Sequence, residues 1–196
     1  MNSYEIPYES FIGGWFISEN ICDKVISYFE SKSDNHFKGN VGGKEYDKDF
    51  LDDIRINITK EQLFENLSDY GAALSDCLDE YKKRYVDSDR VNKYSLQNSI
   101  NIQKYLPGGG YKVWHFEENG NTQKRHLVFM TFLNNVDDGG TEFKYQNLTI
   151  PAKKGLTLIW PAPWTHTHRG QVSNTKTKYI ITVILSTPWS NLTSYL

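Results

Sequence analysis

His115 and Glu117 stand two residues apart in the stretch YKVWHFEENG. In an extended chain such positions point to the same side, so an imidazole and a carboxylate would project together. Further along, the run WTHTHRG offers His166 and His168. One imidazole from that run would complete a set of two histidines and one carboxylate. Non-haem iron(II) sites use this donor pattern, which leaves coordination positions open for other ligands. Taken singly, each piece has a plain reading, because a histidine near an acid is common and a buried histidine is often bonded to backbone. The argument gains from Lys178, which opens the apolar run KYIITVIL. A lysine at the head of a buried strand needs an internal anion or a route to water.

Parity does not choose between His166 and His168, which share one side of an extended chain. Lys176 and Lys178 lie ten residues after each of them in turn, so spacing does not separate them either. Lys178 begins the apolar strand directly, whereas Lys176 sits in the polar turn SNTK. On the residues alone, either histidine can join His115 and Glu117 as the third metal ligand.

The elements that must hold these residues fall into two textures. The first half reads as helical. Ser18 to Asn20 supply capping side chains before Ile21, Val25, Ile26 and Phe29, which recur at helical spacing. Residues 31–53 are polar and rich in Gly and Asp, and read as a long loop. A second helix is expected over 59–85, with Leu63, Phe64, Leu67, Tyr70, Leu74, Leu78 and Tyr81 as its apolar stripe and Gly71 as its weak point. From Ser99 onward come short β-rich runs: SINIQKY, YKVWHF, HLVFMTFL, TEFKY, LTLIW and KYIITVIL. The turns PGGG, ENGN, VDDGG, PAKKG and SNTK separate them, and such a series implies a sandwich or barrel.

Composition narrows the class. With 196 residues the chain suits one domain, here divided into a helical part (1–95) and a β-rich core (96–190). A formal net charge of −2 argues against a broad nucleic-acid or anionic-membrane footprint. Cys22 and Cys77 are too few for a disulfide scaffold and read as reduced thiols on helices. No apolar run reaches the roughly 18 residues of a membrane span, and the start MNSYEIPYESF has no signal-peptide character, so a cytoplasmic location is expected. An aromatic fraction of 14% predicts a core or cleft rich in rings.

From about Ser99 to Ser186 the sequence resembles the prolyl 4-hydroxylase branch of the iron(II)- and 2-oxoglutarate-dependent dioxygenases. The residues that carry the likeness, in order, are Tyr105, the glycines at 108–110 and His115-x-Glu117. Arg125, Leu133-Asn134, Gly139-Gly140-Thr141, the PAKKG turn, His168 and Lys178 follow. The resemblance implies an α+β fold: a double-stranded β-helix (jelly-roll, cupin-like) core with the N-terminal helices packed outside. It implies iron held by His115, Glu117 and His168, and 2-oxoglutarate held by the Tyr105 hydroxyl and the Lys178 ammonium. The expected cofactors are Fe(II), 2-oxoglutarate and O2, with ascorbate as accompanying reductant. The expected activity is hydroxylation of a C–H bond, foremost in peptidyl proline. A free amino acid or another small metabolite is the alternative substrate, and a non-catalytic jelly-roll that binds metal or ligand is the alternative class. Three positions depart from the family pattern: Glu117 where Asp is usual, Phe132 where Tyr is frequent, and Tyr111 one residue further from His115, which hints at a bulge near Val113 or Trp114. Trp114, Trp160 and Arg125 are candidate cavity walls, and residues 31–53 and 118–124 are candidate lids.

Overall fold

The strand Arg125–Phe132 (RHLVFMTF) shows how one sheet comes to have two apolar faces. Leu127 and Phe129 alternate with Val128, Met130 and Phe132, and all five are buried. The two-residue repeat of an extended chain sends the first pair to one side and the other three to the opposite side. In the computed structural model, which describes residues 1–39, 47–91, 93–120 and 122–187, this strand lies near the middle of a nine-stranded sheet. It runs between Leu156–Pro161 and Lys178–Ser186. Gly13–Phe16 and Asn2–Ser3 extend the sheet on the first side, and Ile100–Tyr105, Ile54–Ile58 and Phe37–Lys38 on the second. Ser95–Leu96 pairs with the end of Lys178–Ser186, and the pairings are antiparallel.

One face of the sheet is covered by the helices Glu19–Glu30 and Ser68–Arg84, whose Val25, Phe29, Tyr70 and Leu74 join one core with Ile102, Phe129 and Ile181. The opposite face packs on a three-stranded sheet of Leu148–Ala152, Val136–Phe143 and His168–Gly170. There Phe143, Ile150 and Ala152 form a second core with Met130, Leu158 and Trp160. The fold is therefore mixed α/β, with antiparallel sheets and helices outside the larger one. None of the described helices is long and apolar enough to cross a membrane.

Several sequence expectations change. The helix expected over 59–85 is two helices, Lys60–Asn66 and Ser68–Arg84. The break falls at Leu67, where the backbone turns to φ −134°, ψ 40°, and not at Gly71. Asn66 takes a helix carbonyl for its own side-chain amide, that of Gln62, as short polar side chains do when they compete with the backbone. Phe64, placed in the apolar stripe, is exposed. The first half is also not purely helical. IRINI forms the strand Ile54–Ile58, which buries Ile56 and Ile58 beside Ile100–Tyr105.

VDDGG, read as a turn, lies inside the strand Val136–Phe143. A Cβ on Gly139 would come within 2.5 Å of the Val136 side chain, and one on Gly140 within 2.4 Å of the Ile150 carbonyl oxygen. The glycines permit this close approach at a register shift between Val136 and Thr141. The expected strand YKVWHF is reduced to Gly110–Tyr111, and His115 is reached through irregular chain, so there is no continuous strand there to carry the expected bulge. Within the expected loop 31–53, Phe37–Lys38 and Leu51–Asp52 are short strands. Residues 40–46 of that candidate lid and residue 121 of the other lie outside the described residues.

Candidate metal centre and its cavity

His115 and His168 are brought together by the backbone. Each N–H donates to the other residue's carbonyl, at 3.0 and 2.8 Å, in a single antiparallel bridge. His168 begins the strand His168–Gly170, and Phe143 is its partner in the smaller sheet. In each ring Nδ1 faces a carbonyl two residues back, Val113 O at 3.0 Å for His115 and His166 O at 2.8 Å for His168. A carbonyl only accepts, so Nδ1 carries the proton and Nε2 keeps a free lone pair in both rings. Desolvation by burial pushes the His115 imidazole down to about 4. Burial, with His115 beside it, pushes His168 down to about 3. Both rings are neutral near pH 7, as a metal ligand must be.

Glu117 completes the set. Its Oε1 lies 3.7 Å from His115 Nε2, while Oε2 accepts a 2.6 Å bond from Arg125 Nη1. Its main chain is tied on both sides, N–H to the Ala162 carbonyl at 3.1 Å and carbonyl from the Thr122 hydroxyl at 2.7 Å. One ligand atom from each of His115, Glu117 and His168 lies within 4.8 Å of the other two. Two neutral imidazole nitrogens and one carboxylate oxygen, facing an open cavity, fit a divalent metal held on one side only.

His166 belongs elsewhere. It ends the short helical turn Trp164–His166, and its Nε2 lies 3.0 Å from the Ser10 carbonyl. The chain is not extended between 166 and 168, so the two rings do not share a side as expected.

Behind the three side chains is a cavity of about 360 Å³ between the two sheets. Val128, Met130, Phe132, Trp160 and Ile180 form its apolar wall, and Arg55, Asn101, Gln103, Tyr105, Arg125 and Thr182 its polar one. Of the expected wall residues, Trp160 and Arg125 are present. Trp114 is not, for it stands 38% exposed with the Arg169 guanidinium 4.5 Å above its ring. Lys178 and Tyr105 face each other as register partners on adjacent strands. Lys178 is 4% exposed, and its Nζ donates to the carbonyls of Gly139 at 2.9 Å and Gln171 at 2.8 Å. Burial lowers its ammonium to about 8. Among the described residues those carbonyls are its bonded partners, so a buried cation faces the cavity without a bonded carboxylate.

Sequence reasoning missed the polar wall's core. Asp53, 1% exposed, binds Arg55 through Nη2 at 2.6 Å and accepts Gln103 Nε2 at 2.7 Å. The signal was present in IRINI, whose alternation of Ile with polar residues marks a strand that would aim Arg55 away from the buried Ile56.

No protein-family model matches the sequence, and no curated protein matches it. Solved structures do. A viral collagen prolyl hydroxylase from Paramecium bursaria Chlorella virus-1, in complex with 2-oxoglutarate, superposes with TM-score 0.69 at 16% identity, covering 91% of this chain and 97% of that one. A prolyl hydroxylase from Trichoplax adhaerens, in complex with a hypoxia-inducible-factor peptide, gives 0.71 at 15% identity, covering 90% and 84%. The chain has the prolyl-hydroxylase fold. A Pseudomonas putida prolyl-4-hydroxylase adds 0.69 at 13% identity, covering 89% and 92%. The prolyl-hydroxylase fold thus spans nearly all of this chain, and not only the stretch whose motifs resemble the family.

Proposed function

We propose that this protein is an iron(II)- and 2-oxoglutarate-dependent oxygenase that hydroxylates a C–H bond of peptidyl proline. The observation that carries the reading is the meeting of His115 Nε2, His168 Nε2 and a Glu117 oxygen at the mouth of a cavity that also holds the buried Lys178 cation. On this reading the two sheets form a double-stranded β-helix. Iron bound there, with 2-oxoglutarate and O2, supplies oxidation of C–H to C–OH coupled to conversion of 2-oxoglutarate to succinate and CO2.

The chain's own residues have distinct tasks. Val113 and His166 carbonyls fix the tautomers of the ligand imidazoles. Arg125 holds one Glu117 oxygen and leaves the other to the metal. Lys178 offers its ammonium to the distal carboxylate of 2-oxoglutarate, with Tyr105 as a hydroxyl donor beside it. Phe132 and Ile180, the apolar lining residues nearest Lys178 along the paired strands, keep bulk water from that end. Peptidyl proline as substrate is supported by the neighbours, one of which is itself a complex with a peptide.

One observation favours a second reading, a free amino acid or other small polar metabolite. The cavity wall carries Arg55, Asn101, Gln103 and Thr182, which suit a substrate rich in polar groups. The test is succinate release from 2-oxoglutarate with iron(II) and ascorbate against a panel of proline peptides and free amino acids. Turnover with proline peptides supports the first reading, and turnover with amino acids alone replaces it with the second. No turnover together with no binding of iron or manganese overturns both.

A further inference from the structure

The polar wall contains a chain of hydrogen bonds whose direction is forced. Asp53 receives N–H groups at both carboxylate oxygens. Oδ1 accepts from the Gly39 backbone at 3.0 Å, Oδ2 from Arg55 Nη2 at 2.6 Å and Gln103 Nε2 at 2.7 Å, and Arg55 Nε is shared between them at 3.2 and 3.0 Å. A carboxylate only accepts, so the Gln103 atom facing it is the amide nitrogen. The other end agrees, because Gln103 Oε1 accepts the Thr182 hydroxyl at 3.2 Å. The same Nε2 has a second hydrogen, which goes to the Tyr105 phenol oxygen at 2.8 Å. That oxygen is therefore an acceptor toward Gln103, and its own proton is left for a different partner.

We propose that Gln103, held by Asp53, is a positioning residue that turns the Tyr105 hydroxyl into a fixed hydrogen-bond donor for an anionic ligand in the cavity. A phenol close to a carboxylate would ordinarily direct its proton at it. The intervening amide reverses this polarity: acceptor Asp53, donor Gln103, acceptor and then donor Tyr105. Tyr105 is buried, lines the cavity, and carries Lys178 Nζ 5.2 Å from its ring centre. One end of the cavity thus presents an ammonium and an oriented O–H together, complementary to a carboxylate. The network lies on the strands Ile54–Ile58, Ile100–Tyr105 and Lys178–Ser186 and their flanks, and none of its members is one of the three candidate ligands. It sets ligand affinity without touching the metal.

The inference rests on the reading that 2-oxoglutarate occupies this cavity, and the experiment separates the two. Equilibrium binding of 2-oxoglutarate to the full chain loaded with manganese(II) is measured for wild type, Tyr105→Phe, Gln103→Met and the double variant. Gln103→Leu serves as a second apolar replacement, and thermal melts confirm folding. Tyr105→Phe is expected to weaken binding about tenfold, the order of one hydrogen bond to a charged group. Gln103→Met should weaken it by a similar factor, since the phenol oxygen loses the donor that fixes it and its proton is no longer held toward the ligand. The double variant should bind no worse than Tyr105→Phe alone, because the amide acts only through that hydroxyl. A merely structural role for Gln103 would give losses that multiply. Multiplying losses, or wild-type affinity in both Gln103→Met and Gln103→Leu, would overturn the relay. Failure of the wild-type protein to bind 2-oxoglutarate would instead overturn the reading of the cavity itself.

Discussion

Replacing Lys178 by Met should separate folding from binding, because opposing terms nearly cancel in folding while binding loses its buried cation outright. The ammonium is 4% exposed, and its bonded partners are two carbonyls, not a carboxylate. Burial brings its pKa down from 10.5 to about 8. At roughly 1.4 kcal/mol per pKa unit, that shift means the empty protein gives up about 3 kcal/mol to keep the charge at neutral pH. Methionine has nearly the same shape and removes the cost, but leaves the Gly139 and Gln171 carbonyls without a donor, a loss of about 1–3 kcal/mol. The two nearly cancel, so thermal unfolding of ligand-free Lys178→Met should lie within about 2 kcal/mol of wild type.

Binding should change far more. Loss of a buried charged partner costs about 2–5 kcal/mol, so 2-oxoglutarate affinity in the manganese protein should fall about 100-fold or more by calorimetry. The pH dependence follows with a definite sign. The folded pKa is depressed, so the burden on folding is full below about 8 and fades as pH rises toward 10.5. The stability difference between wild type and Lys178→Met should therefore move in favour of wild type across that window. Ligand affinity of wild type should weaken as pH rises above about 8, because binding then requires proton uptake. Strong destabilisation of the ligand-free variant, with 2-oxoglutarate affinity intact, would refute this account of Lys178.

Further outcomes follow from the site and its supports. His115→Ala, Glu117→Ala and His168→Ala should each lose bound manganese or iron in metal analysis, while His166→Ala keeps it and loses about 1 kcal/mol of stability with its bond to Ser10. Retention by His168→Ala together with loss by His166→Ala would reverse that assignment. Glu117→Asp withdraws the carboxylate from Arg125, and metal affinity by titration should drop about tenfold. Thr59→Ala removes the capping box shared with Gln62 and should lower stability by about 1 kcal/mol in denaturant unfolding, with metal binding unchanged. Gly140→Ala would place a methyl within 2.4 Å of the Ile150 carbonyl oxygen, and should cost several kcal/mol or prevent folding.

Much of the site was legible in the chain because its signals are local. The near-continuous apolar runs HLVFMTFL and KYIITVIL mark strands buried on both faces, and both strands formed where read. Lys178 stood out since a charge at the head of such a run is costly without a partner. His115, Glu117 and His168 were identifiable by type and order, and by their resemblance to a known donor pattern.

Their convergence has a different origin from the one an extended chain implies. No extended strand carries His115 and Glu117; a backbone bridge between His115 and His168 and the Arg125 clamp bring the atoms together. These are contacts between segments far apart in sequence, and no periodicity encodes them. The same holds for the choice of His168 over His166, which depended on a helical turn that aims one ring at Ser10. The sequence by itself determined which side chains could bind a metal and an anion, because residue type and burial pattern are properties of the chain. Only the tertiary structure decided which atoms of those side chains are free to do so. Tautomers, amide orientation and the direction of the Tyr105 proton are set by hydrogen-bond partners that folding alone brings within reach.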